Sequence, residues 1–293
     1  MIYKALDNYI SKHSIVIIGN IDDYNWKKNY IFSKNNVISD INRVKTKGVY
    51  FLNVDKKDIV TDLSFEYVKK GVELALKKRV DAIVTAPISK EKWLRARIKY
   101  RGHTEFLVKS SEVNDYSMFF WSSNLKVALF TAHIPLREIF GHIRKDKIIK
   151  FIKFVNLELH KLFSKRFTFL ISGLNPHSGE NGFLGIEERD EIIPAIEKLK
   201  TEIDIKGIFP PDVVFLKAKD IKDSVVISWY HDQGLIPFKL LNIHSGVNIT
   251  LGLPYIRTSP DHGTAYDIAG KGIADPSSMK EAIKLAEQLL TLN

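Results

Sequence analysis

Short apolar runs alternate along the chain with stretches of helical periodicity, and this alternation constrains the fold more than any other feature. Several runs are apolar at successive positions, as expected for strands buried on both faces of a sheet. The predicted strands are 14–19, 48–53, 81–85, 126–131, 167–172, 213–216 and 224–228. Between strands, apolar residues recur every three or four positions, as at Phe65, Val68, Val72 and Leu76, and again after Ser277. The pattern predicts an α/β protein with a mostly parallel sheet.

Composition narrows the class of protein. The chain has 293 residues, enough for one large domain or two moderate ones, and 45% hydrophobic with 27% charged residues is typical of a globular protein. It has no cysteine, which excludes disulfides, thiolate metal sites and a cysteine nucleophile. No apolar run approaches the roughly 20 residues of a membrane helix, and the first residues lack a signal-peptide core. These features predict a cytoplasmic protein without a membrane partner.

The net charge of +10 raises the question of nucleic acid binding. The lysines are scattered as short pairs, and no basic stripe interleaved with aromatic residues is present. The charge therefore indicates a lysine-rich solvated surface, and no nucleic acid partner is expected.

Three histidines lie in turns close to apolar runs: His133 in TAHIPL, His177 in NPHSGE and His231 in YHDQG. A single histidine is more often structural, but α/β enzymes place their chemistry in the turns after strands. Three imidazoles meeting there would form an open metal site, most suited to zinc, with magnesium, manganese and cobalt remaining open. Asp232 and Asp212 are candidates to orient a ligand imidazole or to assist proton removal, or are simply structural.

A second group of residues suits an anion. His103 and Thr104 begin a predicted helix after Gly102, where a phosphate or carboxylate is about as plausible as a simple helix cap. Arg257 follows Asn248 in a largely apolar segment, and a buried guanidinium needs an anionic partner. Lys239 is the other candidate phosphate ligand, with a solvated surface lysine as the alternative.

The chain has no GxGxxG fingerprint, so a nicotinamide cofactor would bind without the standard Rossmann loop. His262, in the polar turn PDHGT, is a further candidate for a cofactor or structural role.

Long motifs resemble the 4-hydroxythreonine-4-phosphate dehydrogenase family of pyridoxal phosphate biosynthesis. They run in order from about Asp81 to Asp275: TAPISK, GHTEFL, TAHIPL, NPHSGE, PPDVVF, YHDQGLIPFK and VNITLGLPYIRTSPDHGTAYDIAGKG. The resemblance implies a two-lobed fold like that of isocitrate and isopropylmalate dehydrogenases, with a central cleft. We expect one lobe to comprise residues 1–98 with 258–293, and the other, residues 99–257, to carry the metal ligands and the dimer interface.

The resemblance also implies an activity. This is the metal-dependent oxidation of 4-phosphooxy-L-threonine by NAD or NADP, followed by decarboxylation to 3-amino-2-oxopropyl phosphate in a homodimer whose active site lies at the subunit interface. The metal ligands, contributed by both subunits, carry over to His133, His177 and His231. The substrate contacts carry over to His103, Thr104, Lys239, Asn248 and Arg257.

One departure from the family concerns the start of the chain. The family opens with a strand and a Gly-Asp-Pro-x-Gly-Ile-Gly-Pro-Glu loop, whereas this chain begins MIYKALDNYI, which resembles the helix after that loop. The first lobe is therefore expected to lack one strand.

Three alternative functions stay open at this point. The chain could be a paralogue that oxidises another phosphorylated hydroxy acid, such as a four-carbon sugar-acid phosphate. It could also be a shortened relative that binds metal or phosphate without turnover. A metal hydrolase is a weaker alternative, because it leaves the segment NITLGLPYIRTSPDHGTA unexplained.

Overall fold

A computed structural model describes residues 1–7, 9, 12–23, 34–56 and 61–292. It confirms the predicted α/β class. The strands are β1 (Ile15–Gly19), β2 (Val37–Ile38), β3 (Val49–Asn53), β4 (Ala82–Val84), β5 (Ser117–Trp121), β6 (Lys126–Leu129), β7 (Thr168–Ser172), β8 (Ile205–Phe209), β9 (Ser224–Ser228), β10 (Val247–Leu251) and β11 (Ile256–Pro260). The helices are α1 (Ile2–Leu6), α2 (Leu63–Leu76), α3 (Lys90–Arg95), α4 (His103–Ser110), α5 (Ile139–His142), α6 (Lys145–Phe163), α7 (Ile193–Leu199), α8 (Pro211–Lys219), α9 (His231–Asn242) and α10 (Ser277–Leu292).

The chain forms two compact units, one of residues 1–114 with 253–291 and one of residues 115–252 with 292–293. The predicted boundaries were at 98/99 and 257/258. The segment 99–114 lies in the first unit because Phe106 and Leu107 of α4 share a buried cluster with Trp93. The hydroxyls of Ser111 and Tyr255 are 3.1 Å apart in the same unit.

In the first unit, three parallel strands have the order β1-β3-β2, and β4 pairs in parallel with β11. Helix α2 connects β3 to β4. It begins where the Asp62 carboxylate accepts the N–H groups of Ser64 (2.9 Å) and Phe65 (3.3 Å), an N-cap that satisfies two free donors. Val72 of the predicted apolar stripe is buried, whereas Leu76 at the helix end is exposed.

In the second unit, six strands have the order β10-β5-β6-β9-β7-β8. The pairs β10–β5 and β5–β6 are antiparallel, and β6, β9, β7 and β8 are parallel. Helices α8 and α9 pack against the parallel strands. The buried core between them includes Phe120, Val127, Leu170, Val226 and Phe238. Strands β6, β9 and β7 are neighbours, so their carboxyl ends lie along one edge of the sheet.

The prediction of a strand at 213–216 was wrong, because these residues lie inside α8. A four-residue apolar run fits a strand or one turn of a buried helix equally well. The preceding Pro210-Pro211 pair decides between them, since Pro211 occupies the first helical position, where its missing N–H is not needed.

Across the part of the chain that the structure describes, no helix is both long enough and apolar enough to cross a membrane.

Candidate metal and anion sites

The three candidate metal ligands follow three neighbouring parallel strands. His133 lies in the turn after β6, His177 in the turn after β7, and His231 is the first residue of α9 after β9. Because β9 lies between β6 and β7, all three turns are at the same edge of the sheet. This edge is where α/β proteins bind their ligands.

His133 and His231 come together at this edge. Their ring centroids are 5.6 Å apart, and the ring planes are inclined by 40°. Nδ1 of His231 lies 2.7 Å from Oδ1 of Asp232, so the Nδ1–H donates to the carboxylate and the lone pair of Nε2 is left for a metal. Two imidazoles so placed would supply two of the four ligands of a tetrahedral zinc site.

His177 lies in a turn with unusual backbone geometry. His177, Ser178, Glu180 and Asn181 all have left-handed dihedral angles, with φ between 44° and 58°. Each such residue costs about 1–2 kcal/mol, so the surrounding contacts must hold the turn in place. Within the described residues of one chain, no three His, Cys, Asp or Glu side chains are placed to hold a metal ion. The described residues of one chain therefore bring two of the predicted ligands together but do not complete a three-ligand site.

A buried carboxylate fixes the turn that carries His177. Glu188 is 2% exposed, and its Oε1 accepts the backbone N–H groups of Leu174 and Asn175, each at 2.7 Å. Its Oε2 accepts from the side-chain amide of Asn175 at 2.8 Å. At Gly185, where φ is +138°, a Cβ would collide with the Asn175 side chain. The loop is therefore packed around Glu188, whose role the sequence did not reveal.

We expect Glu188→Ala to destabilise the second unit by about 3 kcal/mol, because it leaves the half-buried N–H groups of Leu174 and Asn175 without their acceptor. The His177 turn should then loosen, and zinc affinity should fall about 10–100-fold, as for other outer-shell partners of metal ligands. Urea unfolding and zinc titration of the purified chain measure the two effects. Glu180→Ala, an exposed glutamate in the same turn, is the matched control and should change neither quantity. Equal effects from both variants would mean that Glu188 does not hold the turn.

The first unit contains a buried arginine and a buried imidazole that interact electrostatically. Arg257 of β11 is 3% exposed and donates from Nη2 to Oγ1 of Thr85 at 2.7 Å. Burial lowers the pKa of Arg257 to about 10, so it remains a cation near neutral pH. Nε2 of His103, the first residue of α4, is buried and has no hydrogen-bond partner among the described residues.

Two cations interact electrostatically with His103. Burial lowers the pKa of His103 to about 3, and the charges of Arg257 and Lys90 lower it further in the same direction. Lys90 lies beside Gly102, the N-cap of α4, where a Cβ on the glycine would be 3.5 Å from the Lys90 side chain. Two cations, free N–H groups at a helix start and a neutral imidazole together suit an anion such as phosphate. Lys90 is a second residue whose role the sequence did not reveal.

The low pKa of His103 predicts a pH dependence of folding. Below about pH 6.5 the unfolded chain gains a proton at this histidine that the folded chain does not accept until about pH 3. The folded state should therefore lose about 1.4 kcal/mol per pH unit between these values. His103→Gln should remove this slope in urea unfolding measured from pH 6.5 to 4.5 with a chelator present. The exposed His142→Gln should keep it, and an unchanged slope in His103→Gln would contradict the prediction.

The remaining candidate residues differ in their burial. Lys239 is exposed on α9, Asp212 is exposed in the first turn of α8, and Thr104 is half-buried in α4. Oδ1 of Asn248 in β10 is buried without a hydrogen-bond partner among the described residues, which suits a ligand contact. His262 follows β11 and is half-buried.

Gln233 is a third residue whose role the sequence did not reveal, and it joins the segments that lead to two of the histidines. Gln233 of α9 is 8% exposed. Its Oε1 accepts the N–H of Trp229 at 2.8 Å, and its Nε2 donates to the carbonyl of Gly173 at 2.7 Å. It thereby joins the segment after β9 to the segment after β7, which lead to His231 and His177.

Comparison with known proteins identifies the family of the chain. The family model described as pyridoxal phosphate biosynthetic protein PdxA matches residues 7–286. A 4-hydroxythreonine-4-phosphate dehydrogenase from a Sulfurihydrogenibium species is 43% identical over 259 residues, which cover 85% of this chain and 80% of the relative. A D-threonate 4-phosphate dehydrogenase from Pectobacterium atrosepticum is 43% identical over 229 residues, covering 78% of this chain and 70% of the relative.

A solved structure extends the likeness to the fold. The crystal structure of a 4-hydroxythreonine-4-phosphate dehydrogenase from Burkholderia phymatum is 34% identical and superposes with a TM-score of 0.77, covering 98% of this chain and 93% of that one. The chain is therefore an oxidoreductase that belongs to the family of the pyridoxal phosphate biosynthetic protein PdxA.

Proposed function

We propose that the chain oxidises 4-phosphooxy-L-threonine with NAD or NADP, and that the resulting 3-oxo acid loses CO2 to give 3-amino-2-oxopropyl phosphate. The observation that carries the proposal is the pair of imidazoles, His133 and His231, with the tautomer of His231 set by Asp232. The name of the Sulfurihydrogenibium relative supports the choice of substrate.

The donor set fits a divalent metal ion. His133 and His231 supply two imidazoles, and the partner subunit's His177 supplies the third. This assignment agrees with the lack of a three-ligand group in the described residues of one chain. Imidazole ligands favour zinc, although manganese, cobalt and magnesium would also serve. The bound ion would act as a Lewis acid that lowers the pKa of the substrate hydroxyl.

The side chains have separate tasks in this reaction. Arg257 and His103 of the first unit bind the phosphate, and His103 does so as a neutral imidazole because of its low pKa. The family resemblance assigns Lys239 to the substrate as well. Asn248 accepts a hydrogen bond from the substrate through its buried Oδ1. Thr104, at the start of α4, adds a hydroxyl to the phosphate site.

The proton and the hydride of the substrate need different acceptors. The hydroxyl proton passes to a base of this chain, and a bound NAD or NADP would supply the acceptor for the hydride of C3. The hydrogen bond of Asp232 to His231 supports an orienting role for Asp232, so Asp212 is the proposed proton acceptor. No residue is assigned to the cofactor, because the chain lacks the glycine fingerprint that would identify its site.

A homodimer would complete the metal site. Helix α9, which begins at His231, has Ile236 59% and Leu240 80% exposed, and Ile243 directly after the helix is 65% exposed. Phe183 (85%) and Ile186 (51%) are exposed in the loop that follows the His177 turn. Large exposed apolar side chains on the same elements as the ligands are typical of a protein–protein interface.

A second substrate deserves a direct comparison, because the Pectobacterium relative at 43% identity is named a D-threonate 4-phosphate dehydrogenase. Both substrates carry a phosphate, so the contacts around His103 and Arg257 do not distinguish them.

The test is NADH or NADPH formation by the purified chain on each substrate, with zinc and then with a chelator. Metal-dependent turnover of 4-phosphooxy-L-threonine supports the proposal, and faster turnover of D-threonate 4-phosphate would replace it with the second activity. His133→Ala is the matched inactive variant. Zinc binding without turnover of either substrate would instead indicate a relative that binds metal but is not a catalyst.

A further inference from the structure

The segment 90–101, with the sequence KEKWLRARIKYR, holds half of the net charge of the whole chain. It contains six lysines and arginines and one glutamate, so its formal net charge is +5, against +10 for all 293 residues. It comprises α3 and the residues that lead into α4, and it ends two residues before His103. All six cations are exposed: Lys90, Lys92, Arg95, Arg97, Lys99 and Arg101.

Five of these six cations have no ion pair among the residues that the structure describes. Arg95 pairs with Glu91 at 2.5 Å. Glu105, the first acidic residue after the segment, accepts the backbone N–H of Arg101 at 2.7 Å through its Oε2. Like charges that lie close together without counter-charges destabilise the folded state. The arrangement therefore favours the approach of an anion from solvent.

The aromatic residues of the segment anchor it to the core of the first unit. Trp93 is 0% exposed, and its Nε1 donates to Oγ of Ser64 at 2.9 Å. Tyr100 is half-buried against the same cluster. Nζ of Lys92 lies 5.0 Å from the ring centroid of Tyr266, a cation–π contact with the segment after β11. The cations are thus held on a fixed surface, and neither aromatic residue of the segment is exposed for stacking on nucleic acid bases.

The segment leads directly into the anion site of the first unit. Its first residue, Lys90, interacts electrostatically with His103 and lies beside Gly102, where a Cβ would be 3.5 Å from the lysine side chain. The chain from Arg97 to His103 spans at most about 22 Å even when fully extended. At an ionic strength of about 0.01 M the Debye length is about 30 Å, so the charges at Arg97, Lys99 and Arg101 all act at the anion site.

We propose that segment 90–101 is an electrostatic collecting surface, which attracts the phosphorylated substrate to the anion site of Arg257 and His103 and speeds its association. The inference rests on the proposed function, whose substrate carries a carboxylate and a phosphate of charge about −1.5 to −2. The substrate need not touch the cations of the collecting surface. Their effect is a long-range attraction, so it falls with ionic strength, whereas direct contacts with the bound substrate are screened much less.

The test is a triple variant, Arg97→Gln with Lys99→Gln and Arg101→Gln, assayed for kcat and KM at ionic strengths of about 10 mM and about 0.5 M. At the lower ionic strength we expect kcat/KM to fall about five- to tenfold, because three charges roughly 15 Å away attract a dianion by about this factor in water. The value of kcat should not change, because the bound substrate keeps its contacts. At about 0.5 M, where the Debye length is about 4 Å, the variant should match the wild type.

The matched control is the triple variant Lys45→Gln, Lys47→Gln and Lys77→Gln. These exposed lysines have no ion pair among the described residues and precede the amino ends of β3 and β4, whereas Thr85 of the anion site follows the carboxyl end of β4. Both triple variants lower the formal net charge from +10 to +7. An equal loss of kcat/KM in the two variants, or a loss in the first that persists at about 0.5 M, overturns the proposal.

Binding of inorganic phosphate separates this proposal from the proposed activity. Its dissociation constant, measured by calorimetry at about 10 mM ionic strength, should rise at least about threefold in the first triple variant and stay unchanged in the control. A wild-type chain that turns over neither substrate, but whose variants show this difference, contradicts the dehydrogenase activity and supports the collecting surface. Turnover with equal phosphate affinity in both variants supports the activity and overturns the collecting surface. If circular dichroism shows that the triple variant is unfolded, Arg101→Gln alone should lose about twofold in kcat/KM relative to Lys47→Gln.

Discussion

An equimolar mixture of His177→Ala and His231→Ala chains is expected to recover about a quarter of wild-type turnover, although each variant alone is nearly inactive. Each single variant should lose about 10³-fold in kcat, because the metal contributes several kcal/mol to the transition state and needs all three imidazoles. The measurement is NADH or NADPH formation after the two chains are unfolded together and refolded with zinc.

The recovery follows from the assignment of ligands to subunits. Random pairing makes about half of all dimers mixed. In a mixed dimer, one site takes His133 and His231 from the His177→Ala chain and takes His177 from the other chain, so it has every ligand. The second site lacks two ligands. One intact site in half of the dimers gives a quarter of the total.

A mixture of His133→Ala and His231→Ala chains is the matched control. These two ligands lie together in one chain, with ring centroids 5.6 Å apart, so every site in every dimer lacks at least one ligand. No recovery is expected from this mixture. If it recovers as well as the first mixture, or if neither recovers although the dimers form, the three histidines do not divide between subunits in this way.

The strength of the apolar signal decides how much of the fold could be predicted. The run 224–228 has three successive apolar residues between two serines, and the structure places β9 at the same residues. Strand β8, with the sequence Ile-Lys-Gly-Ile-Phe, was not predicted, because Lys206 and Gly207 interrupt the apolar pattern. The run at 213–216 is as apolar as a strand, but it follows two prolines. These prolines favour the start of a helix, and the run lies in α8.

The sequence could predict candidate site residues only where the residue type is itself typical of a functional role, as histidine is of metal binding. Histidines in turns after strands identified His133 and His231, because their position at the sheet edge follows from the strand pattern. Glu188, Lys90 and Gln233 were missed for another reason. Charged and amide side chains are usually solvated, and only tertiary packing shows that Glu188 is buried and accepts two backbone N–H groups. Supporting residues of this kind have no sequence signature of their own.

Arg257→Met is expected to raise KM for the phosphorylated substrate at least about 100-fold while leaving the thermal stability of the free chain nearly unchanged. The guanidinium is buried, and burial lowers its pKa to about 10, which means that the folded chain holds this charge at a cost. Methionine fills a similar volume without a charge, and such replacements are often neutral or stabilising. The loss of one hydrogen bond to Thr85 lowers the free energy of unfolding by about 1 kcal/mol and so offsets the gain from removing the buried charge.

Two further measurements separate binding from folding. Inorganic phosphate should raise the melting temperature of the wild-type chain, because a ligand that binds only the folded state stabilises it, and should have little effect on Arg257→Met. Arg257→Lys keeps the charge but loses the planar fork of donors, so its KM should fall between those of the other two chains. If Arg257→Met binds phosphate as tightly as the wild type but unfolds at a much lower temperature, the arginine is a structural residue and the anion site lies elsewhere.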